Sequence, residues 1–240
     1  MNKIKYLAAV LIGIAGLALQ QAKADNVANI SLGAPNSAIA GYPSPYATVN
    51  ITLAANGLSA NVTFTSLQNA TNTYLMGDGG SAALSVNGSF SVSGLSASNS
   101  FAGFNANTPV FGGAGNEDGF GSFNLSVNMG QGYPDSATTI SFTVTNTSGT
   151  AWTGITTGGN NKMLTANNKG FIVAAHIFVG GNPPDANVPA LATGFAGNGN
   201  TGTPVPDGGA TVCLLGIALA GIELLRRRVI PARKAYGRLK

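Results

Sequence analysis

The strongest constraint on this chain is a two-residue alternation of apolar and small polar side chains, with no charge in it. Residues 46–53 read YATVNITL, placing Val49, Ile51 and Leu53 on one face and Thr48, Asn50 and Thr52 on the other. Successive side chains of a β-strand point to opposite faces, so this pattern describes a half-buried strand. Residues 58–67 repeat it through Leu58, Val62 and Phe64. Ala55-Asn56-Gly57 between the two runs predicts a hairpin, because Asn and Gly accept positive φ at low cost. A second hairpin is expected within residues 84–92, where Asn87-Gly88 is flanked by Val86 and by Phe90 and Val92. Further strands are expected at residues 120–127 (Phe123, Leu125, Val127) and 140–144 (Ile140, Phe142, Val144). Residues 170–179 (GFIVAAHIFV) are apolar more continuously, as expected of a strand buried on both faces.

Nothing between residues 25 and 181 sustains a 3.6-residue apolar period over three turns. Strands separated by Gly/Asn/Ser/Pro turns predict an all-β domain, an antiparallel β-sandwich of jelly-roll-like kind. A parallel β-solenoid is the other architecture such spacing admits, although no fixed repeat length is present. Residues 100–119 read as a long loop between two halves of the sheet. Residues 182–204, rich in Gly, Asn and Pro, read as a linker.

The two ends read differently. Lys3 and Lys5, an apolar run over residues 6–19 and the small-x-small triplet Ala22-Lys23-Ala24 form a secretory signal peptide, residues 1–24. The mature chain then begins at Asp25. At the other end Val205, Pro206, Asp207, Gly208 and Gly209 precede an apolar run, residues 210–225, which Arg226, Arg227 and Arg228 terminate. Pro and Gly keep the motif extended, the apolar run partitions into a bilayer as a single transmembrane helix, and arginines hold its end on the cytoplasmic side. Sixteen residues fall short of the roughly 20 that span a bilayer, and Glu223 sits where it can snorkel towards Arg226 and Arg227. A basic tail, residues 229–240, would remain inside.

This order of motif, apolar run and arginine cluster resembles the C-terminal signals of PEP-CTERM proteins, in the variant that carries Val-Pro-Asp-Ser-Gly. Gly208 stands here for the Ser, and the tail is longer than in most such proteins. The resemblance covers roughly the last 25–35 residues. It implies recognition by an exosortase-like membrane protease, transient anchoring in the inner membrane with the C-terminus cytoplasmic, and delivery to the cell surface or extracellular matrix. It also implies the company of exopolysaccharide or biofilm matrix, and so a structural or adhesive role.

Composition excludes several other functions. The formal charge of +4 comes from the ends; between Asp25 and Pro206 only Lys162 and Lys169 are basic, against Asp25, Asp78, Glu117, Asp118, Asp135 and Asp185. No basic footprint for a nucleic acid exists. The single cysteine, Cys213, lies in the C-terminal apolar run, so no disulfide holds the domain. The only histidine, His176, has no G-x-S-x-G nucleophile motif or second His or Cys to work with. It reads as a structural residue, bonded to a neighbouring loop. Residues 173–179 followed by Ala192-Thr193-Gly194-Phe195 also look like the end of the body in some PEP-CTERM proteins, and a bond from His176 to that segment is expected.

Asn116-Glu117-Asp118-Gly119 and, more thinly, Asp78-Gly79-Gly80 gather hard oxygen ligands of the kind calcium prefers, although turn chemistry alone explains both and no EF-hand pattern is present. No cofactor and no enzymatic activity are expected. An alternative function is a carbohydrate-binding module in which Trp152, Tyr133 and Asp135 meet the sugar. Asn29, Asn50, Asn61, Asn69, Asn87, Asn124 and Asn146 each open an Asn-x-Ser/Thr sequon, where 25 Asn and 39 Ser plus Thr would give about four by chance. Glycosylation and a period-two polar strand face both account for the excess.

Overall fold

The computed structural model describes residues 26–156 and 160–199, which fall in one compact unit, Asp25–Thr203. The expected signal peptide with its Ala22, Ala24 and Asp25 cleavage site, the Val205–Gly209 motif, the apolar run and the Arg226–Arg228 cluster lie outside the described residues. Among the described residues no helix is long and apolar enough to cross a membrane.

The described fold is all-β. Eleven strands follow in order: β1 (Val27–Pro35), β2 (Ala47–Leu53), β3 (Ser59–Ser66), β4 (Asn72–Met76), β5 (Ala82–Leu84), β6 (Phe90–Ser98), β7 (Val110–Glu117), β8 (Gly121–Asn128), β9 (Thr139–Asn146), β10 (Val173–Gly181) and β11 (Ala192–Asn198). They form one antiparallel sheet in the order β6-β9-β3-β2-β1-β11-β10-β5-β8-β7, with β4 also paired to β10. The expected all-β antiparallel body is present, and its strands form one continuous sheet that curls almost into a barrel. Its inner face closes on one core. Val49, Ile51, Val62, Phe64, Ile140 and Val144 from one half meet Leu84, Leu125, Val127, Val173, Ala175 and Ile177 from the other. Each of these Val, Ile, Leu and Phe side chains contributes about 1.5–3 kcal/mol by leaving water, which is how a cysteine-free body holds together.

The alternating runs at β2, β3, β8 and β9 lie where the sequence places them. The hairpin at Asn56-Gly57 joins β2 to β3 in continuous register from Leu53↔Ala60 to Ala47↔Ser66. β10 is buried along nearly its whole length on both faces, as its apolar run predicts.

Three expectations are corrected. The Asn87-Gly88 turn does not close a hairpin: β5 pairs with β8 and β10, and β6 with β9. Asn87 instead donates its side-chain N–H to the Lys162 carbonyl, and Trp152 Nε1 donates to the Asn87 carbonyl, so the turn is held by residues far along the chain. The stretch 100–119 contains β7, an edge strand on β8. The stretch 182–204, read as a linker, contains β11, which pairs with β1 on one side and β10 on the other. That strand joins the two halves into one sheet. Its glycines disguise it: a Cβ at Gly197 would lie 2.5 Å from Phe120, so only glycine fits beneath that ring.

Candidate functional site

Two faces of the sheet concentrate the polar chemistry of the domain. The first is the outer face of β10, where the alternation turns Ala174, His176 and Phe178 away from the main core. Register fixes the surroundings of His176. Its direct partner on β11 is Phe195, and the rings stack with centroids 4.5 Å apart and planes 17° apart. The diagonal neighbour is Thr193, whose hydroxyl oxygen lies 2.8 Å from Nε2. On the other side β4 ends at Met76, and Nδ1 lies 3.1 Å from the Gly77 carbonyl oxygen.

A carbonyl only accepts, so Nδ1 carries the proton and Nε2 accepts from Thr193. Burial pushes the imidazole pKa below its ordinary value, and Asp78, with Oδ2 3.9 Å from Nδ1, and the Gly77 bond partly offset that. The ring is a neutral cross-link between the β4–β5 loop and β11. Asp78, in the left-handed region at φ 58°, uses Oδ1 to accept the Gly132 N–H at 2.7 Å and so ties a third segment to the same place. The expected bond from His176 to the 193–195 segment is present.

Beside it, Glu117 ends β7 with only 3% of its surface exposed. Its carboxylate packs against Gly80 and accepts the Ser126 hydroxyl at 3.4 Å. Burial raises its pKa to about 6, against a lowering by Ser126. Asp118, next in sequence, is exposed and reaches Asn36 instead. The two carboxylates of the candidate calcium segment thus diverge, and among the described residues no group of three His, Cys, Asp or Glu side chains is placed to hold a metal. Nothing in the sequence signals that Glu117 is buried, because its cover comes from Gly80 in the β4–β5 loop and Ser126 on β8.

A groove of about 460 Å³ adjoins Thr193, lined by Tyr133, Pro134, Phe178, Val188 and Pro189. Of the three residues expected to meet a sugar, Tyr133 lines this groove and Asp135 shares its 3-10 turn, whereas Trp152 lies elsewhere. Trp152 is 5% exposed and packed in the main core. Tyr133 is 6% exposed in a separate cluster with Leu75 and Phe178, beneath the groove rather than on show. The loop-aromatic version of carbohydrate binding loses its platform.

The second polar face is the outside of β1, β2, β3, β9 and β6. Asn29, Asn50 and Asn61 stand on it, each two residues before the Ser or Thr of its sequon, on the same side of the same strand. Their amides bond laterally: Asn50 donates to Asn29 at 2.7 Å, and Thr143 donates to Asn61 at 3.0 Å. Asn69, Asn87, Asn124 and Asn146 use their amides to hold neighbouring loops and turns. Period-two placement of Asn and Thr on one strand face generates the first three sequons without reference to a glycan.

Comparison with known families addresses the C-terminal end. Residues 204–229 match the family model described as the VPDSG-CTERM motif. This is a PEP-CTERM-like sorting signal. The VPDSG-CTERM match spans Val205 to Gly209, the apolar run and Arg226, Arg227 and Arg228, and it tolerates Gly208 at the Ser position. A VPDSG-CTERM signal marks a sorted, exported protein and implies processing by an exosortase-like membrane enzyme. No curated protein and no solved structure matches the chain.

Proposed function

We propose that this chain is an exported envelope or extracellular-matrix protein with a structural or adhesive role in exopolysaccharide, and not an enzyme. The observation that carries the reading is the VPDSG-CTERM motif at residues 204–229. In this reading the signal peptide exports the chain, and the apolar run parks it in the inner membrane with Arg226–Lys240 inside. An exosortase-like protease recognises Val205, Pro206, Asp207, Gly208 and Gly209 and passes the domain to the surface. The domain's own chemistry supports a passive role. His176 has both ring nitrogens committed to internal bonds, and the buried carboxylate of Glu117 meets Gly80 and Ser126.

Mass spectrometry of the surface form tests it. The expected product starts at Asp25 and lacks residues 226–240, and Pro206→Ala with Asp207→Ala leaves the unprocessed chain in the membrane fraction. A surface protein with an intact C-terminus overturns the sorting step.

A further inference from the structure

The outer face of β1, β2, β3, β9 and β6 is a register-defined grid. One row across the five strands is Val27, Thr52, Asn61, Thr143 and Ser93; the next is Asn29, Asn50, Thr63, Ser141 and Ser96; the third is Ser31, Thr48, Thr65, Thr139 and Ser98. Every position but Val27 is Ser, Thr or Asn. Neighbouring strands stand about 4.8 Å apart and same-face residues about 6.8 Å apart along β1, β2, β3 and β9, so the groups repeat in two directions; on β6 a bulge between Ser93 and Ser96 interrupts the spacing. Lateral bonds hold the grid together, with Thr63 and Ser141 3.1 Å apart in its middle row besides the Asn50–Asn29 and Thr143–Asn61 pairs.

Apart from Asp25, two positions before β1 and outside the described residues, charge is excluded from this half of the molecule. Residues 26–77, 79–116 and 136–161 contain no Asp, Glu, Lys, Arg or His, and those segments supply all five strands and most of the loops around them. Asp78, Glu117, Asp118, Asp135, Lys162, Lys169, His176 and Asp185 all belong to the other strands or to loops beyond them.

We infer that this five-strand face docks a neutral polysaccharide, sugar hydroxyls meeting Ser, Thr and Asn side chains. The inference rests on the matrix reading above and gives it a surface. Uronate or phosphate polymers and anionic lipid need cations, and the face has none. Protein partners are usually gripped by aromatic and Arg anchors, which are absent as well. A neutral polyol asks for groups that both donate and accept without a fixed polarity, and hydroxyls and carboxamides are those groups. Their lateral bonds fix rotamers beforehand, which lowers the ordering cost of each weak contact and lets many of them add along a chain.

The test is co-sedimentation of the full-length chain, purified in detergent, with amorphous cellulose as the neutral probe and calcium alginate gel as the anionic one. Retention on cellulose with little on alginate is expected. The pair Thr63→Lys and Ser141→Lys, at the centre of the grid, should weaken cellulose binding by at least about tenfold. Thr165→Lys, exposed on the other half, should leave it unchanged. The pair Thr63→Val and Ser141→Ala removes the hydroxyls without adding charge and should weaken binding with the thermal midpoint retained, which separates docking from folding. Equal binding by the grid variants, no retention on cellulose or preferential retention on alginate would each overturn the inference. Failure on cellulose by a correctly processed surface protein overturns the docking face alone; failure of processing overturns only the sorting reading.

Discussion

The Nε2 atom of His176 lies 2.8 Å from the hydroxyl of Thr193, and through that contact the only histidine of the chain locks β11 to the loop after β4. The residues are diagonal neighbours on adjacent strands, 17 positions apart in sequence. Removing the hydroxyl as Thr193→Val should cost about 1 kcal/mol, the net worth of one such bond. His176→Ala should cost about 2–4 kcal/mol, because it also removes the stack on Phe195 and leaves the Gly77 carbonyl without its donor. Urea unfolding measures both, and equal losses would show that the ring bonds only through Thr193. Nitrogen chemical shifts of the imidazole should report the Nδ1–H tautomer.

Stability should respond to pH with opposite signs from two groups. Glu117 has a folded pKa of about 6, above its ordinary 4.5. The folded state binds the extra proton, so this group destabilises above pH 6 and the penalty fades as pH falls towards 4.5. The full effect is about 2 kcal/mol at most. His176 has a folded pKa below 6.5, so stability is lost as acid protonates the unfolded imidazole below that value. Glu117→Gln should remove the first dependence, raise stability at pH 7 and leave the second. Midpoints in denaturant from pH 4 to 8 check this, and a Gln variant less stable at pH 7 would contradict it.

Trp152 belongs to the core. Its indole N–H donates to the Asn87 carbonyl at 3.1 Å, and its ring packs with the inner-face side chains. Trp152→Ala should cost about 3–5 kcal/mol. Trp152→Phe should retain most of the packing and lose about 1 kcal/mol with the bond. Being the single tryptophan, it should emit at short wavelength in the native state and shift red on unfolding, with no change when sugar is added.

The β2–β3 hairpin should be intolerant at one position. Gly57 has φ 69°, and a Cβ there would lie 2.3 Å from the Trp152 carbonyl oxygen, a backbone atom with little room to retreat. Gly57→Ala should therefore destabilise by about 2 kcal/mol or more, from left-handed strain and overpacking together. Ala55→Gly, two residues earlier, serves as the comparison for a flexible turn without the clash.

Much of this protein is written locally. The alternation in β2, β3 and β9 fixes which side chains enter the core and which form the Ser/Thr/Asn grid, because a strand's two faces are set by residue parity alone. The Asn56-Gly57 turn fixes one pairing, and the motif at residues 204–229 marks the chain for export and sorting. Tertiary structure decides the rest. β4 and β5 are short and buried on every residue, so they show no alternation to read. β7 and β11 are glycine-rich, and what makes β11 a strand is the space left under Phe120 and the open ladders of β1 and β10. Whether there are two sheets or one hangs on that single strand. Its pairing partners lie more than 150 residues back in the case of β1, and no local pattern encodes a ladder completed at that distance.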